Sequence, residues 1–384
     1  MLDVSGNPNA RQYSYNFQFR PTVCINPGGS LNGDIISGEG LFWLRSTGGN
    51  QVDIDFSTID IGDFVREDSS YYVYESTNNG FVYDNIPAQV PNLMIAGNNW
   101  GGANRDFEIS TDVRIKQNFE ILGDANLVLS SGATGDFIVE NDLQIFRLNI
   151  NGNDSGGDGE IRYPNDADRV IEVLGNLKLI NNQAQVFVQN PNTTVNTHQL
   201  IVHGDIEQDN NSGGGLQLYT ALNEDYIELI LNGGKNQTIS RTSGAIPDLF
   251  RITVDKSSGS TATISTDFNL NGPSDGAVKP INLQRGGLTL NNAGIDVSIN
   301  SGGADFQIPA NTAFTVANGT ARITGTASTG IRLDGKLEIS GGNLILGDND
   351  GNDDNYIEYS GSGNAELTIS AGQLTVAASC KFRV

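Results

Sequence analysis

The chain has 384 residues, and its 45 acidic residues against 22 Lys and Arg give a formal net charge of −23. This charge excludes the basic surface with which proteins bind nucleic acids or anionic membranes. No apolar run approaches the ~18 residues of a membrane helix, so we expect no membrane insertion. Glycine occurs 47 times, and short apolar groups recur regularly, which a disordered chain would lack.

Aromatic residues are concentrated near the start of the chain, where apolar groups are irregularly spaced. We predict an N-terminal cap or irregular coils over residues 1–85, and a solenoid over residues 86–384. Aromatic rings stack on sugar rings, and a tyrosine adds a polar tip. The predicted carbohydrate-binding residues are Tyr71, Tyr72, Tyr74, Tyr83 and Trp100. The alternative is that these side chains fill the core of the cap.

An internal repeat follows. The segment VPNLMIAGNNWGGANRDFEISTDVRI begins at Val90, and IPDLFRITVDKSSGSTATISTDFNL begins at Ile246. Each has a proline, an apolar group, a variable loop and the tetrapeptide ISTD, at Ile109–Asp112 and at Ile264–Asp267. The shared frame predicts a building unit that the fold uses more than once.

Two features of the middle of the chain bear on structure and metal binding. The Asn-rich stretch Asn181–Asn196 predicts stacked Asn side chains, which form ladders along a solenoid. The two histidines, His198 and His203, lie five residues apart, so in a strand they face opposite sides. A shared metal site at these histidines is therefore not expected.

The stretch Asn236–Gly272 contains Gly, Ser, Thr and apolar groups, but no His, no Cys and no clustered carboxylates. We predict that the segment Lys256–Gly259 turns a corner and that Ile264 begins the next strand, because Gly and Ser are common at turns. The inward side chains of the preceding strand are predicted to be Phe250, Ile252 and Val254.

From Ile281 onward, apolar–x–apolar triplets recur every six to twelve residues. In a strand, residues i and i+2 face the same way, so each triplet predicts two inward side chains and one outward. About three such strands make a coil of ~25 residues. We therefore predict an all-β fold, a right-handed parallel β-helix or solenoid of short stacked strands. The alternative is a series of β-sandwich modules, which need longer strands.

An acidic loop, GDNDGNDDNYIE, spans Gly347–Glu358. Clustered carboxylates offer the oxygen ligands that Ca²⁺ prefers. The predicted calcium ligands are Asp348, Asp350, Asp353 and Asp354. The spacing does not match an EF-hand loop, and the alternative is a solvated Asn/Asp turn. We expect no other cofactor.

The triplet pattern continues to the last residues. An open solenoid edge pairs readily with another chain segment. We therefore expect the sequence to be a piece of a longer polypeptide, with neighbouring segments of the same or a larger polypeptide as its partners.

The stretch Asn236–Gly272 resembles repeats of large secreted and cell-surface proteins of Bacteroidota-type bacteria. The matching motifs are an N-Q-T-I segment, an apolar group with T-V, then K-S-S-G, a T-I-S-T-D strand and a closing N-G. The looser coils at Gly286–Val376 look like the same family. The resemblance implies a β-solenoid at the cell surface or outside the cell, similar to adhesins and gliding-motility proteins exported by type IX secretion. It carries over no catalytic residues.

These observations predict a non-catalytic structural and adhesive segment, acting as a stiff multivalent rod. Its expected partners include secretion machinery, cell-surface proteins and polysaccharide. One alternative is a carbohydrate-active or carbohydrate-binding β-helix, because carboxylates can converge from successive coils without a sequence signature. A second is a phage fibre-like protein, which predicts an obligate trimer. No catalytic residue is predicted.

Overall fold

The structure is a computed structural model. It describes residues 2–3, 22–25, 30–31, 41–46, 53–54, 71–76, 81–82, 88–97, 105–109, 112–129, 136–146, 159–180, 183–189, 196–210, 213–219, 226–272, 279–300, 304–324, 330–347, 354–361, 363–376 and 379–383. Before residue 88 it describes the backbone of strands alone. All regular elements in these ranges are β-strands. Within them, no helix is long and apolar enough to cross a membrane.

The strands in residues 1–146 are β1 Leu2–Asp3, β2 Thr22–Ile25, β3 Ser30–Leu31, β4 Leu41–Ser46, β5 Asp53–Ile54, β6 Tyr71–Ser76, β7 Phe81–Val82, β8 Gln89–Val90, β9 Asn92–Gly97, β10 Arg105–Ile109, β11 Val113–Ile115, β12 Phe119–Gly123, β13 Ala125–Leu129, β14 Phe137–Val139 and β15 Leu143–Phe146. Those in residues 147–270 are β16 Glu160–Tyr163, β17 Val170–Val173, β18 Leu177–Ile180, β19 Gln185–Val188, β20 Thr197–Val202, β21 Ile206–Asp209, β22 Gly215–Leu216, β23 Tyr226–Gly233, β24 Gln237–Ser243, β25 Asp248–Leu249, β26 Arg251–Lys256, β27 Thr261–Ile264 and β28 Asn269–Leu270. The remainder are β29 Ile281–Leu290, β30 Asp296–Asn300, β31 Phe306–Ile308, β32 Thr312–Val316, β33 Thr320–Thr324, β34 Gly330–Leu333, β35 Lys336–Ile339, β36 Asn343–Leu346, β37 Asp354–Glu358, β38 Glu366–Ile369, β39 Gln373–Val376 and β40 Ser379–Arg383.

The strands stack in parallel on three faces, which the chain visits in the same order in every coil from β8 onward. Face 1 holds β8, β11, β14, β17, β20, β23, β26, the first half of β29, β31, β34, β37 and β40. Face 2 holds β9, β12, β15, β18, β21, β24, β27, the second half of β29, β32, β35 and β38. Face 3 holds β7, β10, β13, β16, β19, β22, β25, β28, β30, β33, β36 and β39.

Strand β29 bends through the corner from face 1 to face 2, which joins the ladders of both faces into one 22-stranded sheet. Face 2 also continues toward the chain start, because β1, β2, β4, β6 and β9 pair in parallel in that order. The predicted all-β parallel solenoid of short stacked strands is therefore confirmed.

The length of a coil varies around the predicted ~25 residues. The coil from Phe314 to its register partner Leu337 spans 23 residues, and that from Leu143 to Leu177 spans 34. The connections between strands absorb most of this difference, and the pairings of β21 with β24 and of β26 with β29 each contain one register shift.

A single apolar core runs through the coils from Val90 to Ile357. Its members alternate along each strand, as at Ile252 and Val254 or Leu288 and Leu290, all of which are buried. Burying one Leu or Ile is worth roughly 1.5–3 kcal/mol, more than the ~1 kcal/mol net of one hydrogen bond. The core therefore supplies most of the stability, and polar corners set the register.

The corner from face 1 to face 2 is tight: it takes three residues at 116–118, 140–142, 174–176 and 203–205. Side-chain oxygens on this corner accept backbone N–H groups of the next coil. Asp142 Oδ1 accepts from Asn176 N at 2.8 Å, and Asn176 Oδ1 accepts from Asp205 N at 2.8 Å. Asn118 and Asp205 repeat the contact one coil to either side, onto Asp142 N and Thr238 N. We call these four side chains, Asn118, Asp142, Asn176 and Asp205, the Asx ladder.

A ladder of this kind was predicted for Asn181–Asn196, and for that stretch it stays a prediction, whereas the Asx ladder lies on the corners before β12, β15, β18 and β21. Residues 181–182 and 190–195 lie outside the described ranges. Glycines complete the corner: a Cβ on Gly204 would lie 2.5 Å from the carbonyl oxygen of Gly175, so only glycine allows this approach. Because Asn and Asp are spread one per coil there, local Asn richness does not reveal the ladder.

Three local predictions are wrong. Ile264 ends strand β27 rather than beginning it, since Thr261 is the first paired residue. Lys256 belongs to β26 and is fully buried, so the corner begins at Ser257. Phe250 precedes β26 and stacks on Tyr226 instead of lining the core.

The triplets predicted from Ile281 onward include Tyr356-Ile357-Glu358, where the predicted orientation is wrong, and the earlier segment Tyr226-Ile227-Glu228 has the same arrangement. Ile227 and Ile357 occupy the inward rows of face 1, paired with His198 and with Ile331 and Phe382. Tyr226 and Tyr356 therefore point outward, although other groups shield both. The rule counted tyrosine as apolar and ignored the charged glutamate, which cannot enter the core unpaired.

The two copies of the internal repeat lie on different faces. In the first copy, β9 on face 2 leads to Ile109 at the end of β10 on face 3. In the second copy, β26 on face 1 leads to Ile264 at the end of β27 on face 2. The repeat is thus a strand–corner–strand unit, displaced by one face between its copies.

Candidate functional site

The structure describes only some of the residues that were predicted to bind carbohydrate or calcium. Tyr71, Tyr72 and Tyr74 lie in β6, whose backbone alone is described, and Tyr83 and Trp100 lie outside the described ranges. Asp354 begins β37, whereas Asp348, Asp350 and Asp353 lie outside the described ranges. Among described residues, no three His, Cys, Asp or Glu side chains are placed to hold a metal ion. The calcium and carbohydrate predictions therefore stay predictions.

The two histidines face opposite sides, as predicted. His198 is buried in the core beside the Tyr163 ring, at a centroid distance of 5.0 Å. His203 is on the outside, where its Nε2 lies 2.9 Å from Glu172 Oε1. The histidines therefore share no site.

A buried polar group surrounds His198 at the corner from face 3 to face 1. The Arg169 backbone N–H donates to His198 Nδ1 at 3.2 Å, and the Tyr163 hydroxyl donates to the Gln199 carbonyl at 2.9 Å. Burial lowers the pKa of Arg169, while the nearby acidic groups of Asp112, Asp136 and Tyr163 oppose that shift. Hydrogen bonds with the backbone hold the rings of Tyr163 and His198 in place. We infer that these contacts stabilise the corner from face 3 to face 1.

A second buried polar group lies at the corner from face 1 to face 2. Lys256 Nζ donates to the Asn232 carbonyl at 2.7 Å and to Gln237 Oε1 at 3.1 Å. The Gln237 amide nitrogen in turn donates to the Val202 carbonyl at 3.1 Å. Burial lowers the pKa of Lys256, and the charge of Asp205 acts against this. The chain of bonds crosses three coils and replaces apolar packing at this point.

The outer side of face 3 carries an ion-pair network. Arg162 Nε donates to Glu160 Oε2 at 2.5 Å, and Nη1 donates to Asp106 Oδ1 at 2.9 Å. Asn126 also donates to Asp106, at 2.8 Å, and Gln185 donates to Glu160. Arg162 and Glu160 are buried although they point away from the core. Each charge has an opposite partner, so the network is a closed structural unit.

Face 1 carries a stack of three aromatic rings beside β23 and β26. Phe250 lies between Tyr226 and Tyr219, with ring centroids 3.9 and 5.3 Å away and nearly parallel planes. Thr197 Oγ1 donates to the Tyr226 hydroxyl at 3.1 Å. The stack leads directly into Arg251, whose side chain pairs with Glu228 at 3.1 Å.

Further along face 1, Tyr356 is held flat against the sheet. A Cβ on Gly330 would lie 2.2 Å from the ring carbon Cε2 of Tyr356, so the ring rests directly on that glycine. The ring reaches across two coils, and its hydroxyl donates to Asp305 Oδ1 at 2.5 Å. Burial and the bond to Asp305 raise the pKa of Tyr356 to about 12. The Arg383 guanidinium covers the ring at 3.7 Å from its centroid.

Between these two aromatic groups lies Lys279, next to Pro280. Pro280 is a register neighbour of Arg251, because the Ile252 N–H donates to its carbonyl at 2.8 Å. Burial lowers the pKa of Lys279, and the charges of Arg251 and Arg332 lower it further, opposed by Asp305. We call the outward side chains Tyr226, Phe250, Arg251, Lys279, Asp305, Arg332 and Tyr356 the face-1 patch.

The face-1 patch was not predicted from the sequence. Its members come from different coils, and no local motif joins Arg251, Lys279 and Arg332. The only available signal was the rarity of cations in a chain with 22 Lys and Arg against 45 acids. The lengths of the coils differ, and these lengths determine which of its members become neighbours on face 1.

A comparison with protein-family models, with curated proteins and with solved structures finds no match to this chain.

Proposed function

We propose that the chain is a structural and adhesive segment of a large bacterial cell-surface or secreted protein, and that it acts as a stiff rod without catalytic activity. The resemblance of Asn236–Gly272 to Bacteroidota-type surface repeats supports this setting. Its partners would be neighbouring segments of the same or a larger polypeptide, secretion machinery, other cell-surface proteins or polysaccharide.

The observation that carries the proposal is the uninterrupted parallel stacking of the coils. One row of register partners runs along face 2 from Leu93 in β9 to Ile369 in β38, and the pairing of β21 with β24 contains one register shift. At ~4.8 Å per strand, this ladder resists bending because a bend must break backbone bonds on one side. A continuous apolar core supports all three faces. Both properties suit a spacer that transmits force.

The outer surface supports adhesion by many weak contacts. A rod presents equivalent positions at each coil, and linked weak contacts add up to strong attachment. The net charge of −23 keeps such rods apart in solution, which favours attachment to a partner over self-association.

Single-molecule force spectroscopy on the 384-residue chain, held at its two ends, tests the rod. We expect successive steps of about 80–120 Å, since coils of 23 to 34 residues extend by up to ~3.5 Å per residue. One all-or-none extension of the whole chain would argue against independent coils.

An assay for new reducing ends tests the non-catalytic part of the proposal. We expect no increase when the chain is incubated with neutral or acidic polysaccharides. Release of reducing ends or of unsaturated products would instead favour the second candidate, a carbohydrate-active β-helix. The observation that favours this candidate is the face-1 patch, where aromatic rings adjoin carboxylates and cations.

A further inference from the structure

A straight row of threonines runs along the outer side of face 2. It continues from strand to strand through direct register partners, which are Thr238 in β24, Thr263 in β27, Thr289 in β29 and Thr315 in β32. These three pairings contain no register shift, so neighbouring threonines are ~4.8 Å apart. All four side chains are partly exposed. We call them the threonine row.

The hydroxyl groups of the threonine row are available to a ligand. Within the described ranges, none of the four forms a hydrogen bond with a protein group. The serine hydroxyls two residues further along the strands differ, because Ser240 donates to the Ile206 carbonyl at 3.5 Å and Ser265 donates to the Ile239 carbonyl at 2.9 Å. A threonine is branched at Cβ, so its hydroxyl and methyl groups are held in place before a ligand arrives.

The outward positions beside the threonine row are small and uncharged. The same four strands place only Asn, Ser, Thr, Gly and Ala there, as at Thr261 and Ala313 on one side or Ser265 and Ala317 on the other. A chain with 45 acidic residues and 22 Lys and Arg does not give such an area by composition. Strand propensity accounts for threonines but not for the absence of Lys and Glu from these positions.

Charged pairs mark the limits of this area. Lys336 and Glu338 lie on the next strand, β35, and pair with each other at 3.2 Å. Arg241 and Asp267 lie past the serines, toward face 3, and pair with each other at 2.6 Å. The neutral area therefore extends over four strands of face 2.

The chain turns tightly on both sides of these strands. From face 1 to face 2 it uses residues 257–260 before β27 and residues 309–311 before β32. From face 2 to face 3 it uses residues 265–268 after β27 and residues 317–319 after β32. The longest connections of these coils, residues 271–280 and 325–329, run from face 3 to face 1 instead. Both borders of the threonine row are thus formed by short corners.

The neutral area does not have the groups that most macromolecular partners need. Sugar rings are bound by aromatic side chains, proteins by Trp, Tyr and Arg anchors, and nucleic acids by Lys and Arg. None of these residues occurs at the described outward positions beside the threonine row. The area offers a lattice instead, with ~4.8 Å between strands and about 6.6–6.8 Å between alternate residues along a strand.

A periodic and neutral surface fits a partner that is itself periodic and neutral. Ice is such a partner, because a repeat of its oxygen lattice lies close to the spacing between β-strands. The threonine methyl groups restrict the orientation of nearby water, and the hydroxyl groups hydrogen-bond it at regular positions. Charged side chains would instead hold water in hydration shells that do not fit a crystal. Water held between the threonines can therefore join the ice lattice.

We propose that the threonine row and its uncharged neighbours on face 2 bind the surface of ice. The proposal rests on the adhesive role and identifies a surface to which the rod attaches. A row of repeated hydroxyl and methyl groups provides the many weak contacts that such attachment needs.

The growth of a single ice crystal in a solution of the 384-residue chain tests the site. We expect the crystal to stop growing over an interval below its melting temperature, and a fluorescently labelled chain to remain on its surface. Growth without such an interval, with the labelled chain excluded from the ice, would overturn the proposal. Binding to crystalline cellulose or chitin without any effect on ice would also overturn it and would assign the surface to polysaccharide.

Matched variants assign the effect to the threonine row. Thr289→Lys puts a charged side chain in the middle of the row and should abolish the effect on ice growth, and Thr263→Lys should do the same. Thr320→Lys is the control, because Thr320 is a partly exposed outward residue of face 3 and the substitution changes the net charge equally. Equal effects on ice growth by Thr289→Lys and Thr320→Lys would refute the site.

Circular dichroism and the thermal unfolding midpoint show whether each variant retains the fold. If Thr289→Lys does not fold, the measurement on the unmodified chain decides the proposal. Stepwise extension under force, together with unhindered growth of ice, would reject this site and leave the rod intact.

Discussion

Lys256 places a charged group inside the corner where most coils have small residues. Among the residues that the structure describes, it contacts a carbonyl and an amide oxygen but no carboxylate, and burial lowers its pKa. Replacing such a group by an apolar side chain of similar volume is often tolerated. Its titration offers a direct test of the buried environment.

The stability of the chain should rise with pH on the alkaline side because of Lys256. Between its lowered pKa in the folded state and the ordinary value of 10.5, the unfolded state holds more protons. The slope from one such group is at most about 1.4 kcal/mol per pH unit. We expect urea unfolding of the unmodified chain to show this rise relative to Lys256→Met between neutral pH and about pH 10. A pH-independent difference between the two proteins would mean that Lys256 is solvated.

Tyr356 depends on a glycine beneath its ring. Gly330→Ala puts a Cβ where the ring lies and should displace the Tyr356 hydroxyl from Asp305, at a cost of about 1–3 kcal/mol. The pKa of Tyr356 should then fall from about 12 toward 10. Tyrosinate absorbance measures it, and subtracting the titration of Tyr356→Phe isolates this residue. An unchanged titration in Gly330→Ala would show that the ring does not rest on the glycine.

At the scale of the strand and corner, the Asx ladder fixes the register that the core leaves open. A one-residue slip would expose every inward side chain, and the corner oxygens accept from only one backbone N–H in the next coil. The Asx ladder therefore favours one register of the strands, although each of its hydrogen bonds is weak.

Removing one ladder residue should loosen the next coil. Asn176→Ala takes away the acceptor of the Asp205 N–H and should cost about 1 kcal/mol. Hydrogen exchange at the Asp205 amide should become faster, because that group then has only water as its partner. Asn176→Asp is the comparison variant: it retains an acceptor oxygen for the Asp205 N–H but replaces the Asn176 Nδ2–H that donates to Asp142 Oδ1 with a second carboxylate oxygen. Equal exchange rates in Asn176→Ala and the unmodified chain would exclude a role for the ladder.

How far the sequence predicts these elements depends on the range of each interaction. Ile252, Val254, Leu288 and Leu290 were placed inside by the two-residue period of a strand, which is a local property. Tyr356 was misplaced, because its position depends on Gly330 and Asp305 in other coils. The face-1 patch was not predicted for the same reason, because its members come from different coils.

At the scale of the whole molecule, backbone pairing joins each coil only to its two neighbours, so damage should remain local. Leu179→Ala removes a fully buried side chain of β18 and should cost about 2–5 kcal/mol. Hydrogen exchange should accelerate in β15, β18 and β21, and little in β32 or β35. Lys178→Ala, at the outward neighbour, is the matched control. Uniform acceleration along the chain would indicate a single cooperative domain.

The variable length of the coils explains why the overall architecture was predictable, whereas the neighbours of each residue along the solenoid were not. Triplets and turn residues define three short strands per coil, whereas coils of 23 to 34 residues shift which residues become neighbours. Arg251 and Pro280 become register neighbours only because of the particular length of chain between them. The register between the strands of successive coils is therefore the property that an experiment should measure.

The distance between Thr238 and Thr368 tests the parallel stacking most directly. These residues lie in one outward row of face 2, connected through Thr263, Thr289, Thr315 and Glu338. With Cys24→Ser and Cys380→Ser, spin labels at the two threonines report this distance by pulsed electron paramagnetic resonance. Five steps of ~4.8 Å predict a narrow distribution near ~24 Å. A broad distribution, or a distance far from this value, would contradict the solenoid register.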